Sequence, residues 1–125
     1  LLSTASAINA TLFGTARLSV LDRTLRRNGA RAALDEITVP EALCPALDDE
    51  APVDLADLLA DAGIFPARIE DQVTAAVTSM SESVALACDR YTALLVLSRT
   101  ARDADGTALA CQTLRLIADG LTYRA

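Results

Sequence analysis

The chain has 125 residues, of which 52% are hydrophobic and only 3% aromatic, and its net charge is −6. A chain of this length supports one domain with its own core and needs no disulfide or metal ion to fold. The acidic balance excludes the electrostatic pattern of a nucleic-acid-binding protein and disfavours an anionic membrane surface. No stretch is long and apolar enough to span a bilayer. We therefore expect a single cytoplasmic domain over residues 1–125 with neither nucleic acid nor membrane as a partner.

The residue types that the chain lacks limit its chemistry. All 11 basic residues are Arg, a usage typical of GC-rich bacterial genomes, and the sequence contains no Lys and no His. Such a chain has no side chain that titrates near neutral pH unaided and cannot form a Schiff base. Cys44, Cys88 and Cys111 have no metal-ligand spacing, which indicates free thiols. We expect no metal and no cofactor, so any catalysis would depend on orienting a substrate.

The first predicted element is a helix from about Ser3 to Asn28, which Gly29 ends. Its N-terminal half is apolar on nearly every side, which predicts that it is covered on every side. Small residues recur there at every fourth position and form a strip that a second backbone could approach closely: Ser6, Ala10 and Gly14. Both an ordinary buried helix and a homodimer seam remain open.

A short helix from Ala30 to Ile37 is expected next, followed by an acidic loop over residues 38–53 that three prolines interrupt. Loops of this length often act as lids or binding loops, although simple packing over the end of the domain is an alternative. Asp54 is a good N-cap for a helix over Leu55–Ala62, which Gly63 would end.

The longest predicted helix runs from about Pro66 to Arg102, where apolar residues recur at steps of three and four. At 1.5 Å per residue it would be about 50 Å long, so it either projects into a partner or breaks near the hydroxyl residues 78–83. A last helix is expected over Thr107–Tyr123, and we find no internal repeat. The predicted fold class is all-α: a small bundle of four to five helices with one long helix, which we expect to dimerise.

Five arginines lie between Arg17 and Arg31, around the end of the first predicted helix. Guanidinium groups suit carboxylates and phosphates, so we expect this face to hold an anionic ligand group. Tyr91 lies in the apolar stripe of the long helix, where it either packs in the core or lines a pocket with Arg99 close by. The alternative for the arginines is pairing with the acidic residues of 32–67. The predicted substrate-binding residues are Arg23, Arg27, Arg31, Tyr91 and Arg99.

In size, expected helical content and lack of standard catalytic groups, the chain resembles the small helical proteins of cinnamycin-type lanthipeptide clusters that form a lysinoalanine crosslink. The resemblance implies a cofactor-independent tailoring protein of a peptide biosynthetic pathway that preorganises its substrate. The alternative is a non-catalytic interaction module, namely an immunity, regulatory or adaptor protein, or a subunit of a larger complex. Whether the chain is an enzyme stays open.

Overall fold

The computed structural model describes residues 12–14, 17–44 and 47–118. They form one antiparallel sheet of five strands in the order β1-β2-β5-β4-β3, with two short helices. The elements in chain order are β1 Leu18–Arg27, β2 Ala30–Pro40, α1 Leu55–Asp61, β3 Arg68–Val77, α2 Met80–Leu86, β4 Ala93–Arg102 and β5 Ala108–Ile117. The expectation of an all-α bundle is therefore wrong.

The helix predictions failed mainly where strands lie. The described part of the first predicted helix contains β1, and the second predicted helix is β2. The long predicted helix divides into β3, α2 and β4, and the described part of the last one contains β5. Alanine and leucine favour helices intrinsically, but the pairing of strands far apart in sequence overrides that preference.

Two predictions about helix ends agree with the structure. Asp54 caps α1, because its carboxylate accepts hydrogen bonds from the backbone N–H groups of Ala56 and Asp57. The predicted break near the hydroxyl residues 78–83 also occurs: β3 ends at Val77, and Ser79 caps α2 in a capping box with Glu82.

The sheet has apolar residues on both faces, which hides the alternation that marks a strand. On the face that we call the α1 face, Leu21 and Ile37 pack against Leu55 and Leu59 of α1. On the opposite face, the α2 face, Leu94 and Val96 of β4 are buried, and Glu82 of α2 pairs with Arg115 beside Val96. A strand covered on both faces loses the simple apolar–polar period of two, so a helical spacing could fit it by chance.

The sheet contains two hairpins with matching sequences, although we expected no repeat. The segment Val20–Arg26 of β1 reads VLDRTLR and Val96–Arg102 of β4 reads VLSRTAR, so five of seven positions are identical. The inner strands β2 and β5 pair antiparallel around Glu36 and Thr113, which lie opposite each other. This register relates the first hairpin, β1–β2, to the second, β4–β5, by a pseudo-two-fold axis through the sheet.

Features beside the turns agree with this relation, although the first loop has two residues (28–29) and the second has five (103–107). Each outer strand has a register shift directly before an equivalent arginine. Arg26 Nη1 donates to the carbonyl of Gly29 at 3.1 Å, and Arg102 Nη1 donates to the carbonyl of Gly106 at 3.0 Å. Both glycines have φ near +80°, at 82° and 84°, a conformation that favours glycine.

Some predictions fall on residues outside the described ranges. Ser6 and Ala10 of the expected dimer strip are among them, so dimerisation stays a prediction, as does the extent of the single domain. In the described part of the chain, no helix has the length and hydropathy to cross a membrane.

Candidate functional site

A buried ion pair joins the two strands of the first hairpin on the α1 face. Arg23 Nε donates to Asp35 Oδ2 at 2.8 Å, and their side chains are 7% and 0% exposed. The rest of the guanidinium meets the loop before α1: Nη1 donates to the carbonyls of Asp49 (3.1 Å) and Ala51 (2.5 Å), and Nη2 to that of Pro52 (3.1 Å). A buried charge is tolerated when it is paired and hydrogen-bonded in this way. Arg23 therefore fastens the loop to the sheet.

Gln112 of β5 extends this network. Its Nε2 donates to Asp35 Oδ1 at 3.0 Å and to the carbonyl of Val53 at 2.7 Å. Because both partners are acceptors, the amide nitrogen must face them, and the orientation of the side chain is determined. The residue is 1% exposed, and its Oε1 has no hydrogen-bond partner among the described residues.

Arg99 lies opposite Gln112 on the neighbouring strand β4. Its Nε is 3.2 Å from Asp71 Oδ1, and its Nη1 is 4.0 Å from Asp54 Oδ2. Although Nε is close to Asp71, it is a buried atom without a partner in hydrogen-bonding geometry within the described ranges. The Arg99 side chain is 25% exposed, Asp71 is 24% and Asp54 is 54%, so this end of the network opens to solvent.

We call these side chains the arginine cluster: Arg23, Asp35, Asp54, Asp71, Arg99 and Gln112. It contains one buried donor and one buried acceptor, Arg99 Nε and Gln112 Oε1, that the described part of the protein leaves unmatched. For Gln112 Oε1 this costs about 1–3 kcal/mol relative to a satisfied group. For Arg99 Nε the Asp71 carboxylate oxygen at 3.2 Å offsets part of that cost. Because the two unmatched atoms sit at facing positions of adjacent strands, the arginine cluster can receive a polar group from a ligand.

A second polar region lies on the α2 face, where a cavity of about 540 Å³ is lined in part by Asp22, Glu36 and Arg115. Partial burial and the neighbouring Asp22 carboxylate raise the pKa of Glu36. Arg115 Nε pairs with Glu82 Oε2 of α2 at 3.3 Å. The carboxylates here are open to water, and neither of the two unmatched buried atoms lies on this face.

The five sequence-predicted site residues lie in three places. Arg23 and Arg99 both belong to the arginine cluster. Arg27 is exposed at the end of β1, and Arg31 donates to the carbonyl of Ala85 in α2 at 3.1 Å.

Tyr91 is not on a helix, contrary to our expectation. It lies in the turn before β4 with φ of 65° and is 65% exposed, with the Arg90 guanidinium 5.0 Å above its ring. The expected helical stripe placed it beside Arg99, but β4 carries Arg99 along the sheet, away from this turn.

Sequence reasoning included Asp35 only as one acid of 32–67 that could pair with the arginines, which the Arg23–Asp35 ion pair bears out, and it missed Asp71 and Gln112. The three residues come from three different strands, so only the sheet register brings them together. The repeat was the available signal: aligning the two arginine-containing segments, with one extra residue allowed before Gly106, would have placed Asp35 and Gln112 at equivalent positions.

The three cysteines are not part of the arginine cluster. All three are free, as predicted. Burial raises the pKa of the Cys111 thiol, which lowers its thiolate content at neutral pH.

Comparison with known proteins identifies the family. The model of the UTRA domain matches residues 3–121, and the chain belongs to this family. The effector domain of PhnF from Mycobacterium smegmatis is 25% identical, with a TM-score of 0.79 over 94% of this chain and 76% of that chain. The chain spans 55% of the longer PhnF structure, again at 25% identity and a TM-score of 0.79 over 94% of this chain. A transcriptional regulator of the GntR family from Enterococcus faecalis V583 is 10% identical and shares the fold, with a TM-score of 0.79 over 95% of this chain and 89% of that one.

No curated protein sequence matches the chain. The family match overturns the resemblance to lysinoalanine-forming lanthipeptide proteins, and with it the function as a tailoring protein. That resemblance depended on size, expected helices and absent catalytic groups, which many small domains share. The sheet removes the helical part of the argument.

Proposed function

We propose that this chain is the effector-binding domain of a transcriptional regulator of the GntR type, and that it binds a small molecule at the arginine cluster. Membership of the UTRA family and the likeness to the PhnF effector domain support this function. This function is closer to the regulatory protein that the sequence analysis gave as an alternative than to the tailoring protein that it preferred.

The observation that carries the proposal is the pair of unmatched buried atoms, Arg99 Nε and Gln112 Oε1. Folded proteins satisfy most buried polar groups, and exceptions call for a water, an ion or a ligand. Here both exceptions occur at facing positions and beside the solvent-accessible end of a charged network.

The same network gives ligand binding a mechanical consequence. Gln112 holds Val53, and Arg23 holds Pro52, directly before the capping residue of α1. Asp54 caps that helix and also lies 4.0 Å from Arg99. A ligand group that binds at Arg99, next to Asp54, would reposition the start of α1 relative to the sheet, and such a shift can bias a two-state regulator.

A thermal-denaturation screen of the purified chain tests this function. The panel would contain carbohydrates, sugar phosphates, amino acids, fatty acids and nucleosides. We expect at least one compound to raise Tm with a saturable dependence on concentration, because a ligand that binds only the folded state stabilises it. Calorimetry would then give its Kd for the native chain and for Arg99→Gln.

The matched control is Arg27→Gln, which changes an exposed arginine outside the arginine cluster. We expect Arg99→Gln to weaken binding at least tenfold and Arg27→Gln to leave Kd within about twofold. A panel without any stabilising compound, or a ligand that binds equally to both variants, would contradict the proposal.

Two earlier expectations remain as proposals beside this one. Light scattering of the purified chain would test dimerisation. The expected anion site over Arg23, Arg27 and Arg31 would require Arg27→Gln to weaken binding, which is the reverse of the result we expect.

A further inference from the structure

The pseudo-two-fold relation allows each residue of the arginine cluster to be compared with its counterpart. Arg23 and Arg99 occupy the same position of the repeated segment, and each faces the inner strand of its own hairpin. Arg23 lies opposite Asp35, whereas Arg99 lies opposite Gln112. The repeat therefore exchanges a carboxylate for an amide at the position that faces the arginine.

This exchange explains which atoms are unmatched. Asp35 accepts from Arg23 Nε on one side and from Gln112 Nε2 on the other. Gln112 uses its two donors for Asp35 and Val53, so the part of it that remains is a carbonyl oxygen. Across from it, Arg99 Nε keeps its proton without an acceptor in hydrogen-bonding geometry among the described residues.

The charge of the arginine cluster indicates what kind of group fits there. Two guanidinium groups face three carboxylates, those of Asp35, Asp54 and Asp71, so the cluster already carries an excess of negative charge. An added anion would meet Asp54 and Asp71 beside Arg99, and like charges at short range repel. An uncharged group that accepts one hydrogen bond and donates another would satisfy both unmatched atoms without that repulsion.

We propose that Gln112 is the specificity-determining residue of the proposed effector site, and that it selects an uncharged ligand group, a hydroxyl or a primary amide, that accepts from Arg99 Nε and donates to Gln112 Oε1. This inference rests on the proposed function. It assigns recognition of the ligand to the second hairpin and the retention of the α1 loop to the first.

Nuclear magnetic resonance of the arginine Nε–H groups tests this assignment directly. The Arg99 signal is identified by its loss in Arg99→Lys, which keeps the positive charge and removes Nε. The probes are erythritol and acetamide as uncharged groups, and acetate and inorganic phosphate as anions, each titrated into the purified chain at constant ionic strength. We expect erythritol or acetamide to shift the Arg99 Nε–H and Gln112 amide signals in a saturable way.

The variants separate hydrogen bonding from charge. We expect Arg99→Lys to weaken binding of the uncharged probe at least tenfold, monitored on the Gln112 amide. Arg68→Lys, a change in an exposed ion pair with Glu70, is the control and should leave the affinity within about twofold.

Three results would overturn the inference: tighter binding of phosphate or acetate than of both uncharged probes, an unchanged affinity in Arg99→Lys, or no shift of the Arg99 signal with any probe. The phosphate result would leave the proposed function intact, since an anionic effector would then be indicated. Failure of the metabolite screen described above would remove the proposed function itself.

Discussion

The two hairpins share a turn glycine with positive φ, a register shift in the outer strand and five identical positions of seven, yet the equivalent arginines have different surroundings. In the first hairpin the arginine is buried, paired with Asp35 and bonded to three loop carbonyls. In the second it is a quarter exposed and faces Gln112. The exchange of Asp35 for Gln112 at equivalent positions thus gives a structural ion pair in the first hairpin and a site with unmatched polar atoms in the second. The comparison shows that a repeated framework can divide support and recognition between its copies.

The largest expected effect is the difference in stability loss between variants of the two equivalent arginines, Arg23 and Arg99. Arg23→Met should lower the free energy of unfolding by about 3–5 kcal/mol, because it leaves the Asp35 carboxylate buried without its partner. Arg99→Met, at the equivalent position, should cost only about 1 kcal/mol, because its ion pairs are partly exposed. Urea unfolding followed by circular dichroism measures both values, with Arg27→Met as an exposed control. Equal losses for the two variants would contradict the division between the hairpins.

The next effect tests the link between the hairpins. Gln112→Met keeps the size of the side chain but removes its bonds to Asp35 and Val53, which lie 3.0 and 2.7 Å from Nε2. We expect a loss of about 2 kcal/mol, since the buried Asp35 carboxylate and the partly buried Val53 carbonyl each lose a donor. Thr113→Val, one residue along the same strand and on the opposite face, is the control. If Gln112→Met were as stable as the native chain in urea, the amide would have no structural part in the cluster.

A smaller effect, expected to be equal in the two hairpins, comes from replacing the equivalent turn glycines. Gly29→Ala and Gly106→Ala place a Cβ on residues with φ of 82° and 84°. Neither new Cβ would meet an atom closer than 3.8 Å, so the cost should come from the backbone alone. We expect about 1 kcal/mol for each, with nearly the same value in both hairpins. Thermal unfolding would show a difference if one turn were held by contacts that the repeat does not include.

The smallest expected effect concerns pH on the α2 face. The pKa of Glu36 is raised by partial burial and by the Asp22 carboxylate. Glu36 therefore holds a proton more tightly in the folded chain than in the unfolded chain. Its contribution to stability is therefore complete below the ordinary pKa of glutamate and declines as the pH rises through the folded value. Asp22 and Glu82 add negative charge to this cavity and Arg115 adds positive charge.

Glu36→Gln should remove that decline and make the chain more stable at pH 7 by less than about 1 kcal/mol, because the cavity is open to solvent. Urea unfolding between pH 4 and pH 7 would show the difference from the native chain growing with pH. Glu41→Gln, in the exposed turn after β2, is the control. A difference that stays constant over this range would contradict a raised pKa of Glu36 in the folded chain.

Local signals were read correctly where a single short segment decides the structure. Asp54 capping α1 and the interruption near Ser79 depend on hydrogen bonds between residues two or three apart, so they are visible in the sequence. Arg23 was selected from local charge and Arg99 from its expected closeness to Tyr91, and both lie in the arginine cluster. The residues that face them could not be selected in the same way, because the sheet register places Asp35 opposite Arg23 and Gln112 opposite Arg99.

By itself, the sequence determined the caps, the glycine turns, the lack of His and Lys, and the repeat that we failed to recognise. Only the tertiary structure decided that the apolar segments are strands, because apolar residues on both faces removed the period of two and left a spacing that also fits a helix. It also decided which charges meet, since strand register sets the partners of Arg23 and Arg99. A register is a property of two segments together, and no single segment contains it.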